Sequence, residues 1–258
     1  GQDEAAMAHG EVGVDPVRDA EIMGTERMLA DLDSLEERLP NLQKRAKNRD
    51  AEAVAQIAVM EPLMEALREG RPVRAAIPAG EEETVRRLQL LTSKPVLYVC
   101  NVDEDSAATG NAFSEQVKLR AEAEGAAVVI VSAAIEAEVS QLADDERREF
   151  LEGLGLKDSG LDRVIAAGYR LLGLSTYFTV GPKEARAWTI TKGTKAPQAA
   201  AVIHNDFERG FIACETVAYD DYVQYAGEAG AKEAGRLRVE GRDYVVQDGD
   251  ILLFRFNV

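Results

Sequence analysis

Cysteine and histidine are scarce in this 258-residue sequence, at two each, and tryptophan occurs once. Two cysteines cannot build the disulfide framework of a small secreted domain. Cys100 follows the apolar run Val96-Leu97-Tyr98-Val99 and reads as a small buried hydrophobe, with Cys214 in a similar setting. His9 and His204 are far apart and lack cysteine or acidic partners at ligand spacing, which argues against a zinc site. His204, at the end of an apolar helical stretch, reads as a satisfied structural histidine. No Gly-x-Ser-x-Gly elbow or Ser-His-Asp set occurs. Positive charge is short as well: 30 basic residues face 46 acidic ones, a net −16 that opposes non-specific binding to phosphates. Any RNA contact must therefore come from local basic clusters. Long apolar runs are missing. The best, such as 95–100 and 126–131, are too short to span a bilayer, and no basic-then-apolar leader opens the chain. A reducing, cytoplasmic setting with no membrane contact is the expectation.

What is present organises into three regions. The first is helical. Met28, Leu32, Leu35, Leu39, Leu42 and Ala46 recur at spacings of three and four, and Ile57, Met60, Met64 and Leu67 resume the rhythm after a polar break. This predicts an antiparallel helical hairpin over roughly 18–69, stopped by Gly70 and Pro72. Pro40 and Pro62 should kink its two helices, with the kinks facing each other across the hairpin. The second region alternates: strand 95–100, helix 113–124 (Phe113, Val117, Ala121), strand 126–131 and helix 161–172. That pattern predicts a parallel α/β unit with strands buried on both faces and a ligand beyond their carboxyl ends. The third region, from about Ser175, predicts strands at 176–180, 187–190, 211–217, 244–247 and 251–256, with one short helix at 196–204. This describes a small α+β domain of the β-grasp type.

Three stretches carry candidate chemistry. The first follows the first buried strand and reads Asn101-Val102-Asp103-Glu104. GTPase-type folds place Asn-Lys-x-Asp here, the Asp accepting two hydrogen bonds from guanine. With Val102 at the Lys position and Glu104 at the Asp position, guanine selection should weaken and an adenine nucleotide becomes the better fit. A simple polar loop is the alternative. No Gly-x-x-x-x-Gly-Lys-Ser/Thr and no Asp-x-x-Gly occurs, so neither a phosphate cradle nor a magnesium-side loop can be named. The second stretch, Lys44, Arg45, Lys47 and Arg49, puts four positive charges within six residues at the hairpin tip. It is either a solvated helix end or an RNA contact. The third is Arg186, Lys192 and Lys195 around Trp188, where basic and aromatic groups on a small sheet could track RNA, or Trp188 could belong to the core.

Several long strings carry a family resemblance. Val14-Asp15-Pro16-Val17-Arg18-Asp19, Lys94-Pro95-Val96-Leu97-Tyr98-Val99-Cys100-Asn101-Val102-Asp103-Glu104, His204-Asn205-Asp206-Phe207-Glu208-Arg209-Gly210-Phe211 and the closing segment 243–258 resemble the YchF / Obg-like ATPase family. The resemblance implies a P-loop, GTPase-like parallel sheet with an inserted helical hairpin, followed by a C-terminal TGS domain of the ubiquitin-like, β-grasp class. It divides the chain into a remnant of the nucleotide-binding domain (1–17), the coiled-coil hairpin (18–90), the rest of the nucleotide-binding domain (91–174) and the TGS domain (175–258). It further implies base recognition by Asn101 and Glu104, with Val102 beside the base and Ser132 and Ala133 forming the following base loop. The nucleotide would be ATP, with GTP weaker, and Mg2+ is expected only in the complete protein. The implied role is ATP hydrolysis as a ribosome-associated switch in the cytoplasm. The family's P-loop part has no counterpart here, and the sequence opens Gly1-Gln2-Asp3-Glu4, so the chain is expected to be a partial one that does not hydrolyse nucleotide alone. A non-catalytic ribosome- or RNA-binding module made of hairpin and TGS domain is the contrasting expectation.

Overall fold

The computed structural model describes residues 14–257. His9 and nearly all of the expected 1–17 segment lie outside the described residues. The chain forms two compact units that meet in sequence between Ala167 and Gly168.

The first unit opens with helix α1, Pro16–Lys47, whose start is set by Asp15 accepting a hydrogen bond from the Arg18 N–H and by Pro16 in the first turn. A tight turn with Arg49 in the left-handed region leads to α2, Ala51–Arg68. Asp50 caps α2 by accepting from the N–H groups of Glu52 and Ala53. The predicted seam is the observed core: Leu35, Leu42, Met60, Met64 and Leu67 are buried, and Met28, Leu32, Leu39, Ala46 and Ile57 pack against them. Both helices run unbroken through Pro40 and Pro62, and both prolines are exposed. The expectation of prolines meeting across the hairpin is therefore corrected. A proline on the outer face loses one hydrogen bond to solvent and leaves the seam intact. Beyond Gly70, which adopts a positive φ at the end of α2, a 3-10 turn (Val73–Ala75) and helix α3 (Glu82–Leu88) close the hairpin core through Val73 and Val85.

Asp31 of α1 is buried, at 3% exposure, and ties this core to the chain that follows. Its carboxylate accepts from the N–H groups of Leu91 and Thr92 and from the Thr92 hydroxyl, each at 2.7 Å. The same hydroxyl oxygen accepts from the Val73 N–H at 3.1 Å.

The chain then enters strand β1 (Leu97–Asn101), helix α4 (Ala112–Glu124) and strand β2 (Ala127–Val131). The two strands pair in parallel, with Asn101 opposite Val131. Burial differs from expectation. Val99 is half exposed and lines a cavity beside β1. Phe113 is also exposed at 48%, while Val117 and Ala121 on the same predicted stripe are buried. Short helices α5 (Ala133–Val139) and α6 (Asp144–Gly153) and helix α7 (Gly160–Leu171) follow.

The second unit is a five-stranded mixed sheet. Its strands are β3 (Leu174–Val180), β4 (Ala185–Thr191), β5 (Phe211–Ala218), β6 (Arg238–Glu240) and β7 (Asp250–Phe256), in spatial order β4-β3-β7-β5-β6. Only β3 and β7 pair in parallel. Helix α8 (Ala196–Ile203) packs Ala196, Ala199 and Ala200 on one face against Tyr177, Cys214 and Leu252, and the Tyr177 hydroxyl donates to the Ala199 carbonyl at 2.9 Å. Two sequence readings are corrected. Three more short helices, α9 (Asn205–Arg209), α10 (Tyr219–Gln224) and α11 (Glu228–Glu233), join the one expected. Residues 244–247 form a single bridge, Val245 to Lys195, and no ladder. The buried Asp250 carboxylate pulls this segment into a turn, accepting from the Tyr244 hydroxyl at 2.7 Å and the Gln247 N–H at 2.8 Å. His204 proves to be an exposed capping residue, its Nδ1 accepting from the Asp206 N–H at 3.1 Å.

Candidate nucleotide-base site

The parallel register decides which loops meet. With Asn101 paired to Val131, the ends of β1 and β2 stop side by side, and the Val102 N–H extends the ladder by donating to the Val131 carbonyl at 2.9 Å. The Asn101 side-chain carbonyl then accepts from the Ala133 N–H at 3.0 Å. That donor is the first N–H of α5, which has no acceptor within its own helix. Two segments more than thirty residues apart are thus joined by one hydrogen bond at the carboxyl end of the strands.

Asn101, Glu104 and Ala133 are exposed. Glu104 opens a 3-10 turn, Glu104–Ser106, that Asp103 caps by accepting from the Ser106 N–H at 2.9 Å. The hydrogen bonds from Ser106 hold the Asp103 carboxyl below its ordinary range. Val102 is only 8% exposed, so its side chain packs inward and offers no open platform of the kind a lysine stem provides. Ser132 is 1% exposed and its buried hydroxyl has no hydrogen-bond partner among the described residues. An orphaned buried hydroxyl costs about 1–3 kcal/mol and marks the place where this loop could take a further polar partner. The Asn101 amide and the Glu104 carboxylate are exposed at the carboxyl end of the strands, whereas the Ser132 hydroxyl is buried.

Beneath the two loops lies a small core of Ala107, Ile135, Val139, Leu151 and Leu156, with Phe150 against it. Beside β1 is a cavity of about 670 Å³, lined by Tyr98, Val99, Cys100, Asn101, Val102 and Phe113 among others, but not by Glu104, Ser132 or Ala133. Among the described residues no three His, Cys, Asp or Glu side chains gather in a metal-binding group, and no helix is long and apolar enough to cross a membrane.

The basic clusters fare unevenly. Arg45 is committed within the hairpin, bonded to Asp50 at 2.8 Å and facing Glu52 at 3.6 Å. Lys44, Lys47 and Arg49 are exposed and hold no ion pair among the described residues. In the second unit the Arg186 guanidinium lies 4.2 Å over the Trp188 ring, whose other neighbour is Tyr177, stacked at 6.5 Å. The Trp188 Nε1 donates to Thr179 at 2.8 Å, and the half-buried ring packs against the core of this unit. Lys195 pairs with Asp243 at 2.8 Å, and Lys192 is exposed.

Sequence reasoning missed several positioning groups. In one, the Glu124 carboxylate accepts hydrogen bonds from Arg74 and the Tyr98 hydroxyl and is ion-paired with Arg120. Glu21 of α1 joins it through Arg120 at 3.0 Å. No motif signals it, because its members are brought together only by the packing of α1 and β1 on α4.

The parallel strand–helix–strand unit, with its loops meeting at the carboxyl end of the strands, is an α/β arrangement of the GTPase-related class. Comparison with known proteins agrees. The chain aligns over 98% of its length, at 34% identity and a TM-score of 0.82, with 69% of the solved YchF GTPase of Schizosaccharomyces pombe. It is 51% identical over 246 residues to the ribosome-binding ATPase YchF of Haemophilus ducreyi, covering 95% of this chain and 68% of that protein. To the ribosome-binding ATPase YchF of Bacillus subtilis it is 48% identical over 255 residues, covering 98% and 70%. Residues 174–257 match the YchF-GTPase_C family, described as a protein of unknown function (DUF933). The chain belongs to the YchF family.

Proposed function

We propose that this chain contributes the base-reading part of a YchF-type nucleotide-binding protein that associates with the ribosome in the cytoplasm. The carrying observation is the hydrogen bond from the Ala133 N–H to the Asn101 side chain, which joins the two loops into one base-binding edge. Asn101 and Glu104 contact the base, Ser132 and Ala133 close over it, and Val102 supports the loop from below. ATP is the preferred nucleotide and GTP the weaker one. Glu104 carries one methylene more than the Asp of guanine-selective loops and cannot hold the same two-point contact to guanine. A bound nucleotide supplies the phosphoanhydride. The chain's own residues orient its base, and phosphate binding, Mg2+ and hydrolysis belong to the complete family member. The second unit is the TGS domain of the β-grasp class.

The test is nucleotide selectivity. Because Val102 is buried, the clean substitution is Glu104→Asp, measured by isothermal titration with ATP and GTP. The ATP:GTP affinity ratio should fall by about tenfold, which corresponds to about 1.4 kcal/mol. An unchanged ratio refutes base selection by Glu104.

A second reading is favoured by the three unpaired cations Lys44, Lys47 and Arg49 at the hairpin tip. On that reading the chain is a ribosome- or RNA-binding module, with the tip, Arg186, Lys192 and Lys195 contacting phosphates, and no catalysis occurs in it.

A further inference from the structure

The loop that offers Ala133 to Asn101 is held from behind by a contact no motif announces. Glu136 lies in the first turn of α5, and its carboxylate reaches across to the start of α7. Oε1 accepts from the Gly160 N–H at 2.6 Å and Oε2 from the Leu161 N–H at 3.1 Å. Both N–H groups belong to the orphan set at a helix N-terminus, where a carboxylate is favoured by hydrogen bonding and by the helix dipole. The approach is close: a Cβ on Gly160 would stand 2.8 Å from Glu136 Oε1 and 3.2 Å from the Val131 Cβ. Glycine at 160 is therefore what admits the carboxylate. Helix α7 does not need Glu136 for capping alone, since the Ser159 hydroxyl accepts from the Asp162 N–H at 3.0 Å and donates to the Asp162 carboxylate at 2.8 Å.

We propose that Glu136 is a positioning residue: it clamps the first turn of α5 onto the first turn of α7 and so fixes the Ala133 N–H against Asn101. Resting on the base-site reading above, this makes the Glu136–Gly160 contact a determinant of base recognition at one remove. The clamp spans only the first four residues of α5, from Ala133 to Glu136. A loss at 136 is therefore transmitted to 133 through a single helical turn, in a helix of seven residues too short to hold its own direction.

The test uses amide hydrogen exchange by NMR on the 258-residue chain. Ala133 is an unusually direct reporter, because its N–H is protected by Asn101 and by nothing in its own helix. Glu136→Ala and, independently, Gly160→Ala, which leaves Glu136 in place and expels its carboxylate, should each speed Ala133 exchange about tenfold or more. Glu136→Gln, which keeps one acceptor, should fall between, and it also serves should Glu136→Ala not fold. Ser159→Ala should speed the first amides of α7 and leave Ala133 within twofold. Faster exchange at Gly160 and Leu161 with Ala133 unchanged in both variants overturns the proposal. Titration of the unsubstituted chain with ATP then separates the two claims. An Asn101 side-chain resonance that ATP does not move, together with a tenfold effect of the clamp on Ala133, sinks the base-site reading and leaves the clamp as architecture only.

Discussion

Removing the Asp31 carboxylate should unfasten the hairpin from the strand segment, and its cost can be worked from the geometry. Asp31 accepts three hydrogen bonds, all at 2.7 Å. In Asp31→Ala these donors fare differently. Leu91 is exposed, so its N–H can turn to water, and the Thr92 hydroxyl can rotate. The Thr92 N–H is buried with its residue and is left stranded. A hydrogen bond to a charged group is worth about 1.5–3 kcal/mol and a stranded buried donor costs about 1–3 kcal/mol, so we expect a loss of about 3 kcal/mol. Asp31→Asn keeps one acceptor oxygen but turns an NH2 group toward a backbone N–H, a donor–donor opposition, and should cost about 2 kcal/mol. Urea unfolding followed by circular dichroism measures both values, and amide exchange at Leu91 and Thr92 localises them. Thr92→Val removes the hydroxyl that Asp31 and Val73 share. Combined with Asp31→Ala it should be clearly less than additive, since both changes break the same contact. A loss under about 1 kcal/mol for Asp31→Ala, or strict additivity with Thr92→Val, refutes the clasp.

Other outcomes follow from the same structure. Charge reversal at the hairpin tip, Lys44→Glu with Lys47→Glu and Arg49→Glu, should abolish co-sedimentation with ribosomes and leave the unfolding midpoint unchanged; Arg45 is spared because it braces Asp50. Retained ribosome binding would refute the docking role. The Asp50 carboxyl is held below its ordinary range, first by the Ala53 N–H and then by Arg45. A depressed folded pKa contributes stability that is present above the unfolded value of about 4 and is lost as pH falls through the folded one. The hairpin should therefore lose helicity below about pH 4 in the native chain, and Asp50→Asn should flatten that part of the profile. Burial pushes the thiols of Cys214 and Cys100 up; fully buried Cys214 should not react with Ellman's reagent at neutral pH until urea unfolds the chain, whereas half-buried Cys100, which lines the cavity beside β1, should react slowly. Rapid labelling of Cys214 in the folded chain would contradict its place under α8. Leu35→Ala, in the fully buried centre of the seam, should destabilise by about 2–5 kcal/mol in the same urea assay.

The sequence by itself determined the elements whose physics is local. The hairpin was legible because a three-four apolar spacing has no other stable use, and residues 28–67 bury the side chains that spacing names. Strands β1 and β2 were legible as short apolar runs, and their parallel pairing as a consequence of the helix between them. Where pattern and outcome part, a distant group intervenes. Residues 244–247 alternate like a strand, yet the buried Asp250 takes the Tyr244 hydroxyl and the Gln247 N–H and folds them into a turn. Trp188 sits among basic residues like a stacking platform, yet it packs against the core beside Tyr177 with the Arg186 guanidinium over its ring. Phe113 keeps the phase of a buried stripe but stays half exposed, lining the cavity beside β1. The clasps Asp31 on Thr92, Glu124 on Arg74 and Tyr98, and Glu136 on Gly160 join residues that nothing in their own neighbourhood marks. A carboxylate's partners are whatever N–H groups the packing delivers to it, and that delivery is decided only once the helices and strands have met.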